Sequence, residues 1–275
     1  MTAVVDPPLL REFPFNLWKH LLAPGDIRPT PEQRESYQRF TQMGDPLADD
    51  LVAAFRRLPA GAGRAQFETA VEHGIAAVED PTPELVAFFA QVDARPYWVD
   101  QDKLDHAARV TARTGVIASF TSLSMLSLMG GYLASRADKT LVATGDLETM
   151  APQRLAETVS WVVDVTGPNA LERFASGFAN TMRVRLMHAM VRAGMSRRPD
   201  WDFADWDYPV NQSTMAGTLL LFSLGNVAGS QALGLHFSRR DKDAVYHFWR
   251  YVGFLLGVDV ELLPTDEADT WRLLW

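Results

Sequence analysis

The stretch Met182-Arg-Val-Arg-Leu-Met-His-Ala-Met-Val-Arg192 combines one histidine with three arginines and seven apolar residues. On an α-helix, residues three and four apart share a face, so Arg185, His188 and Arg192 lie together, with two valines beside them. The predicted helix therefore presents a single imidazole between two guanidinium groups on an apolar background.

This set of residues has two interpretations. A buried haem needs a neutral imidazole for its iron, apolar walls for the macrocycle and cations for its propionates, which would assign His188 to the iron and Arg185 and Arg192 to the propionates. Alternatively, His188 is a core histidine satisfied by a hydrogen bond, and the arginines extend to solvent. The segment alone leaves both interpretations open.

The composition of the chain excludes several classes of partner and chemistry. The 275 residues carry 34 acidic and 26 basic side chains, a net charge of −8 that disfavours nucleic acid as a partner. The sequence contains no cysteine, so disulfides, iron–sulfur clusters and thiolate ligands are impossible. Any bound metal must therefore be held by histidine or carboxylates.

Two stretches without charged residues, Thr114–Ser135 and Tyr208–Ser238, are long enough to cross a bilayer. Both contain Ser, Thr, Gly, Asn and Gln, which are costly against lipid, so we expect buried helices and no stable membrane insertion. The N-terminal sequence lacks a basic region followed by an apolar one, which predicts a cytoplasmic protein.

Helical periodicity dominates the sequence, and strand-like alternation is nearly absent. Proline following a Thr or Asp cap marks several predicted helix starts. The predicted helices cover residues 31–40, 46–58, 66–78, 83–92, a long segment from 100, 152–165, 170–193, 212–224 and 242–256. We predict an all-α, single globular domain of about nine helices around a buried cofactor pocket, with residues 1–94 packed on a core formed by 95–275.

Three segments resemble a known family: Leu141–Val162, Arg183–Arg192 and Phe248–Pro264. Together they are similar to the superfamily of latex-clearing proteins and mpaB-type oxygenases, long described as a domain of unknown function. The resemblance covers about residues 95–264 and implies an all-helical fold that binds haem b through one histidine. The matching histidine here is His188, with His236 and His247 as fallback ligands.

The resemblance also implies a distal side for the haem. Latex-clearing proteins carry an Arg-x-x-Lys-Thr pattern about thirty residues before the histidine, and the matching positions here are Arg154, Glu157 and Thr158. Glutamate replaces lysine, so Glu157 could transfer protons or merely pair with Arg154. Thr158 could bind dioxygen or its own i−4 carbonyl, and Trp161 shares this helical face.

These observations predict a haem b-dependent oxygenase or oxidase that acts on an apolar or aromatic small molecule with dioxygen or peroxide. A cavity lined by the two uncharged stretches, including Met125 and Met129, would hold the substrate. One alternative is a non-catalytic binder of haem or a hydrophobic ligand. Another is a metal-free fold in which His188 is structural.

Overall fold

The computed structural model describes residue 11, residues 15–115 and residues 151–275. Within these ranges the chain forms helices joined by loops and contains no β-strand. The all-α class and the single globular domain predicted from periodicity are therefore confirmed. Met125, Met129 and most of the first uncharged stretch lie outside the described residues.

The helices follow one another from the N-terminus with short connections between most of them. They are α1 (Phe15–Leu22), α2 (Pro31–Phe40), α3 (Pro46–Phe55), α4 (Ala62–His73), α5 (Pro83–Asp93), α6 (residues 101–115 as described), α7 (Ala151–Val165), α8 (Ser176–Met195), α9 (Phe203–Trp206), α10 (Gln212–Leu220), α11 (Asn226–Ala232), α12 (Arg239–Leu255) and α13 (Glu267–Leu274). A π-helical segment, Leu221–Gly225, joins α10 to α11, and Ile75–Ala77 and Val260–Leu262 are 3₁₀ turns.

Local backbone conformation corrects several predicted helix ends. The helix predicted from residue 170 begins at Ser176, because Asn169 and Phe174 adopt positive φ angles of 55° and 77° that an α-helix excludes. The helix predicted over 66–78 instead covers Ala62–His73 and ends at Gly74, whose φ is 87°. The prediction also missed the short helices α1, α9 and α13.

Side-chain caps explain why other predicted helices are correct. Thr30 and Ser238 each form a capping box at the start of α2 and α12, and Asp45 and Thr82 accept hydrogen bonds from the first turns of α3 and α5. The Ser238 box starts α12 at Arg239, three residues before the predicted start.

Helix α8 lies at the centre of the described structure and packs against α3, α7 and α12. Gly177, in its first turn, allows α7 to approach closely: a Cβ atom there would lie 2.7 Å from the carbonyl oxygens of both Asp164 and Ala170. The division at residues 94 and 95 stays a prediction, although α3, from the N-terminal part, packs directly on α8.

The second uncharged stretch forms α10, the π-helical segment and α11, which are largely buried. In the part of the chain that the structure describes, no helix has the length and apolar character needed to cross a membrane.

Candidate functional site

His188 lies seven residues before Met195, the last residue of α8. Its side chain is partly exposed to solvent, but its Nδ1 atom is buried. Nδ1 has no hydrogen-bond partner among the described residues. Burial, assisted by the nearby Arg192 cation, lowers the pKa of His188 from 6.5 to about 4. At neutral pH the ring is therefore an uncharged imidazole, the form that coordinates metal ions.

The other histidines differ from His188 in their surroundings. His106 Nε2 lies 2.9 Å from the Asp241 carboxylate, and His247 Nε2 accepts a hydrogen bond of 3.0 Å from the backbone N–H of Asp100. The remaining histidines have exposed side chains: His20, His73 and His236. Of the histidines, His188 alone has a buried ring nitrogen without a partner in the described ranges, which supports it over the fallback ligands.

Arg185, predicted to contact a propionate, instead forms hydrogen bonds with other residues of the protein. The guanidinium is 2% exposed and binds the Asp45 carboxylate through two hydrogen bonds, Nε–Oδ2 at 2.6 Å and Nη2–Oδ1 at 3.0 Å. Its Nη1 donates to Gln91 Oε1 at 2.7 Å and to the carbonyl of Leu255. A Cβ at Gly257 would contact both members of the ion pair, so the pair is tightly enclosed.

Arg192 is equally buried but less completely bonded. Its Nε donates to Asp49 Oδ1 at 2.7 Å and its Nη1 donates to the carbonyl of Val210 at 3.0 Å and to the sulfur of Met215. Burial raises the pKa of Asp49, although Arg192 opposes that effect. Nη2 of Arg192 is buried and has no partner among the described residues. Neither arginine is the solvent-exposed cation that the alternative interpretation expected.

Helices α7 and α8 run antiparallel, and their contacts define a register. Trp161 Nε1 donates to Thr181 Oγ1 at 3.2 Å, and Asn180 Nδ2 donates to Asp164 Oδ2 at 2.6 Å. His188 lies seven residues after Thr181, and Arg154 lies seven residues before Trp161, two turns in each case. The same pairing of residues, extended by two turns along both helices, predicts that the first turns of α7 lie opposite His188.

The side chains on these first turns are more open than expected. Glu157 and Thr158 are exposed, while the side chain of Arg154 lies outside the described residues. Glu157 Oε1 accepts a hydrogen bond of 2.8 Å from Gln153 Nε2 one turn earlier, whereas the sequence pattern predicted Arg154 as its partner. The roles predicted for these residues stay predictions.

Trp161 belongs to an aromatic cluster that joins three parts of the fold. Its ring lies 5.7 Å from Phe222 of the π-helical segment and 6.0 Å from Trp249 of α12, and Phe222 stacks on Trp249 at 5.0 Å. π-Helical turns occur frequently at functional sites because they distort a helix locally. The cluster forms an apolar wall on the same side of α8 as Thr181.

The C-terminal part of the chain matches a class of oxygenase catalytic domains. Residues 114–275 match the family described as "ER-bound oxygenase mpaB/B'/Rubber oxygenase, catalytic domain". This match covers more than half of the chain, so the protein belongs to that family, and the resemblance predicted from the sequence is confirmed.

Two similar proteins extend this comparison. The rubber oxygenase of Streptomyces sp. (strain K30) is 21% identical over 190 residues, which cover 68% of this chain and 45% of the relative. The structure of latex clearing protein LCP in the closed state has a TM-score of 0.67 and 21% identity over 84% of this chain and 63% of the other. The chain thus spans less than half the length of the rubber oxygenase and shares its fold class with LCP.

Proposed function

We propose that this protein binds haem b through His188 and oxidises or oxygenates an apolar or aromatic small molecule with dioxygen or peroxide. Family membership supports an oxygenase. The observation that carries the haem assignment is the buried, unpartnered Nδ1 of His188 together with its lowered pKa. A small substrate and a cytoplasmic location remain predictions from the sequence.

The surroundings of His188 fit a metal ligand. An imidazole nitrogen that is buried without a partner costs free energy, and coordination of this ring would offset part of that cost. The low pKa keeps the proton from competing with iron at neutral pH. When bound, haem iron would supply the activation of dioxygen or peroxide.

The first turns of α7 would supply polar groups beside this site. Glu157 is exposed, so it can exchange protons with solvent, and its hydrogen bond from Gln153 fixes one carboxylate oxygen. Glu157 would hold a proton beside the site, Thr158 would donate a hydrogen bond to the oxidant, and Arg154 would contribute positive charge. The aromatic wall at Trp161 excludes water from the apolar substrate.

The exposure of Glu157 and Thr158 favours a second candidate function, a haem-binding protein without catalysis. His188 alone would suffice for that function. Turnover of dioxygen or peroxide by the haem-loaded protein separates the two candidates, because a simple binder would show none above free haem.

Absorption spectroscopy of the protein purified from haem-replete cells tests the proposal. We expect a Soret band that His188→Ala abolishes while the helical circular dichroism is retained. His236→Ala is the matched control, because His236 is exposed and its replacement should leave the band unchanged. A wild-type protein without a Soret band, or His188→Ala with full haem occupancy, would show that the assignment is wrong.

A further inference from the structure

Three buried polar atoms without partners follow one another along the last turns of α8 and its C-cap residue, Ser196: Nδ1 of His188, Nη2 of Arg192 and Oγ of Ser196. In the part of the chain described, seven side chains carry such an atom, and these three are spaced four residues apart on one helical face. We call these three residues the α8 polar row. Their alignment indicates a common ligand more readily than three separate packing defects.

Packing within the protein does not require these atoms to be polar. The Ser196 hydroxyl forms no hydrogen bond with a described residue, and alanine at this position would avoid burying it. Arg192 needs only Nε and Nη1 for its bonds to Asp49 and Val210. Each unfilled donor costs free energy in the ligand-free fold, a cost that a ligand would offset.

We propose that Arg192 Nη2 and Ser196 Oγ bind a carboxylate group of the ligand whose iron His188 holds, a haem propionate. This inference rests on the proposed function. A guanidinium N–H and a hydroxyl both donate, and a carboxylate only accepts, so the chemistry is complementary. A ligand that spans the row must extend about 12 Å along the helix, which excludes a small free anion acting alone.

The same argument separates the two arginines of the helix. Arg185 already donates to Asp45, Gln91 and the carbonyl of Leu255, so it is committed to the fold. Arg192 retains a buried donor, and Ser196 supplies a second one in the next turn. The carboxylate site is therefore formed by Arg192 and Ser196, whereas Arg185 stabilises the helix that carries them.

Ser196→Ala is the decisive variant, because it removes a hydroxyl that holds no bond to a described residue. We expect haem to transfer about tenfold faster from this variant to an excess of a haem-scavenging protein, the size of one lost charge-assisted hydrogen bond. The melting temperature of the haem-free variant should be equal to or higher than that of wild type.

The matched control is Ser213→Ala, at a buried serine whose Oγ donates to the carbonyl of Tyr37 at 3.3 Å. This replacement should lower the melting temperature of the haem-free protein and leave haem transfer unchanged. Ser196→Ala should therefore change the rate of haem transfer and not lower the melting temperature, whereas Ser213→Ala should lower the melting temperature and not change haem transfer.

Haem dimethyl ester, in which both propionates are methylated, identifies the group that is bound. Wild type should lose the ester faster than haem, and Ser196→Ala should accelerate loss of the ester no further. Equal transfer of haem from wild type and Ser196→Ala would overturn this inference and leave His188 as ligand. If Ser196→Ala accelerated transfer of the ester as much as transfer of haem, the inference would also be overturned. A wild-type protein that binds no haem would overturn both this inference and the proposed function.

Discussion

Two sets of residues on one face of helix α8 and its C-cap use similar groups in opposite ways. Arg185 is bonded to the Asp45 carboxylate, an amide and a carbonyl, in a buried ion pair. In the α8 polar row, His188, Arg192 and Ser196 each keep a buried polar atom without a described partner. The guanidinium nitrogens of Arg185 are therefore all hydrogen-bonded, whereas each residue of the row has one polar atom that is not.

The difference separates residues that are bonded within the fold from residues that keep a polar atom available for a ligand. Buried polar groups are nearly always hydrogen-bonded in native proteins, so several unpartnered atoms in one place need an explanation. Arg185 and Arg192 look equivalent in the sequence, seven residues apart beside one histidine. Their bonding shows that the Arg185 pair belongs to the fold, whereas the α8 polar row is the candidate ligand site.

The largest effect should come from the fully bonded Arg185–Asp45 pair. Arg185→Met leaves the buried Asp45 carboxylate without its cation and should lower the free energy of unfolding by about 3–5 kcal/mol. Urea denaturation of the haem-free protein measures this loss. Arg39→Met, which removes an exposed pair with Glu261, should cost less than about 1 kcal/mol. Similar losses in the two variants would contradict the comparison.

The next effect concerns the pH dependence of stability that arises from His188, in the α8 polar row. The pKa of His188 is about 4 in the folded protein and 6.5 ordinarily, so between these values the unfolded chain binds the extra proton. The contribution of His188 to the free energy of unfolding of the haem-free protein is fully present above pH 6.5. It should decrease by up to about 3 kcal/mol as the pH falls to 4.

Unfolding of His188→Gln at the same pH values provides the control for this titration. The variant lacks the imidazole, so its stability should decrease less steeply than that of wild type between pH 6.5 and 4. Parallel pH profiles for the two proteins would mean that another group controls the titration.

A smaller effect is expected at Glu157, on the first turns of α7. If its carboxylate transfers protons, Glu157→Gln should lower turnover by about a hundredfold, or about 2.7 kcal/mol of activation free energy, with haem content unchanged. Glu35→Gln, at an exposed carboxylate on α2, should have wild-type turnover. Unchanged turnover in Glu157→Gln would mean that Glu157 has only a structural role, through its hydrogen bond from Gln153.

Much of the fold could be predicted because its determinants are local. A period of 3.6 residues and caps such as Asp45 and Thr82 specify helices through contacts within a few residues. The errors occurred where a local pattern was interrupted, at the positive φ angles of Asn169 and Phe174 and in the π-helical segment. A helical pattern in sequence does not report these interruptions.

The spacing of Arg185, His188 and Arg192 along the chain is enough to place them on one face of a helix. The difference in their hydrogen bonding arises from tertiary contacts. Asp45 and Asp49 lie 140 and 143 residues earlier in the chain than the arginines they bind. Packing of α3 against α8 brings the carboxylates to the arginines, fills the donors of Arg185 and leaves one of Arg192 unused. Which polar groups remain available to a ligand depends on such long-range contacts, and spacing along one helix cannot encode them.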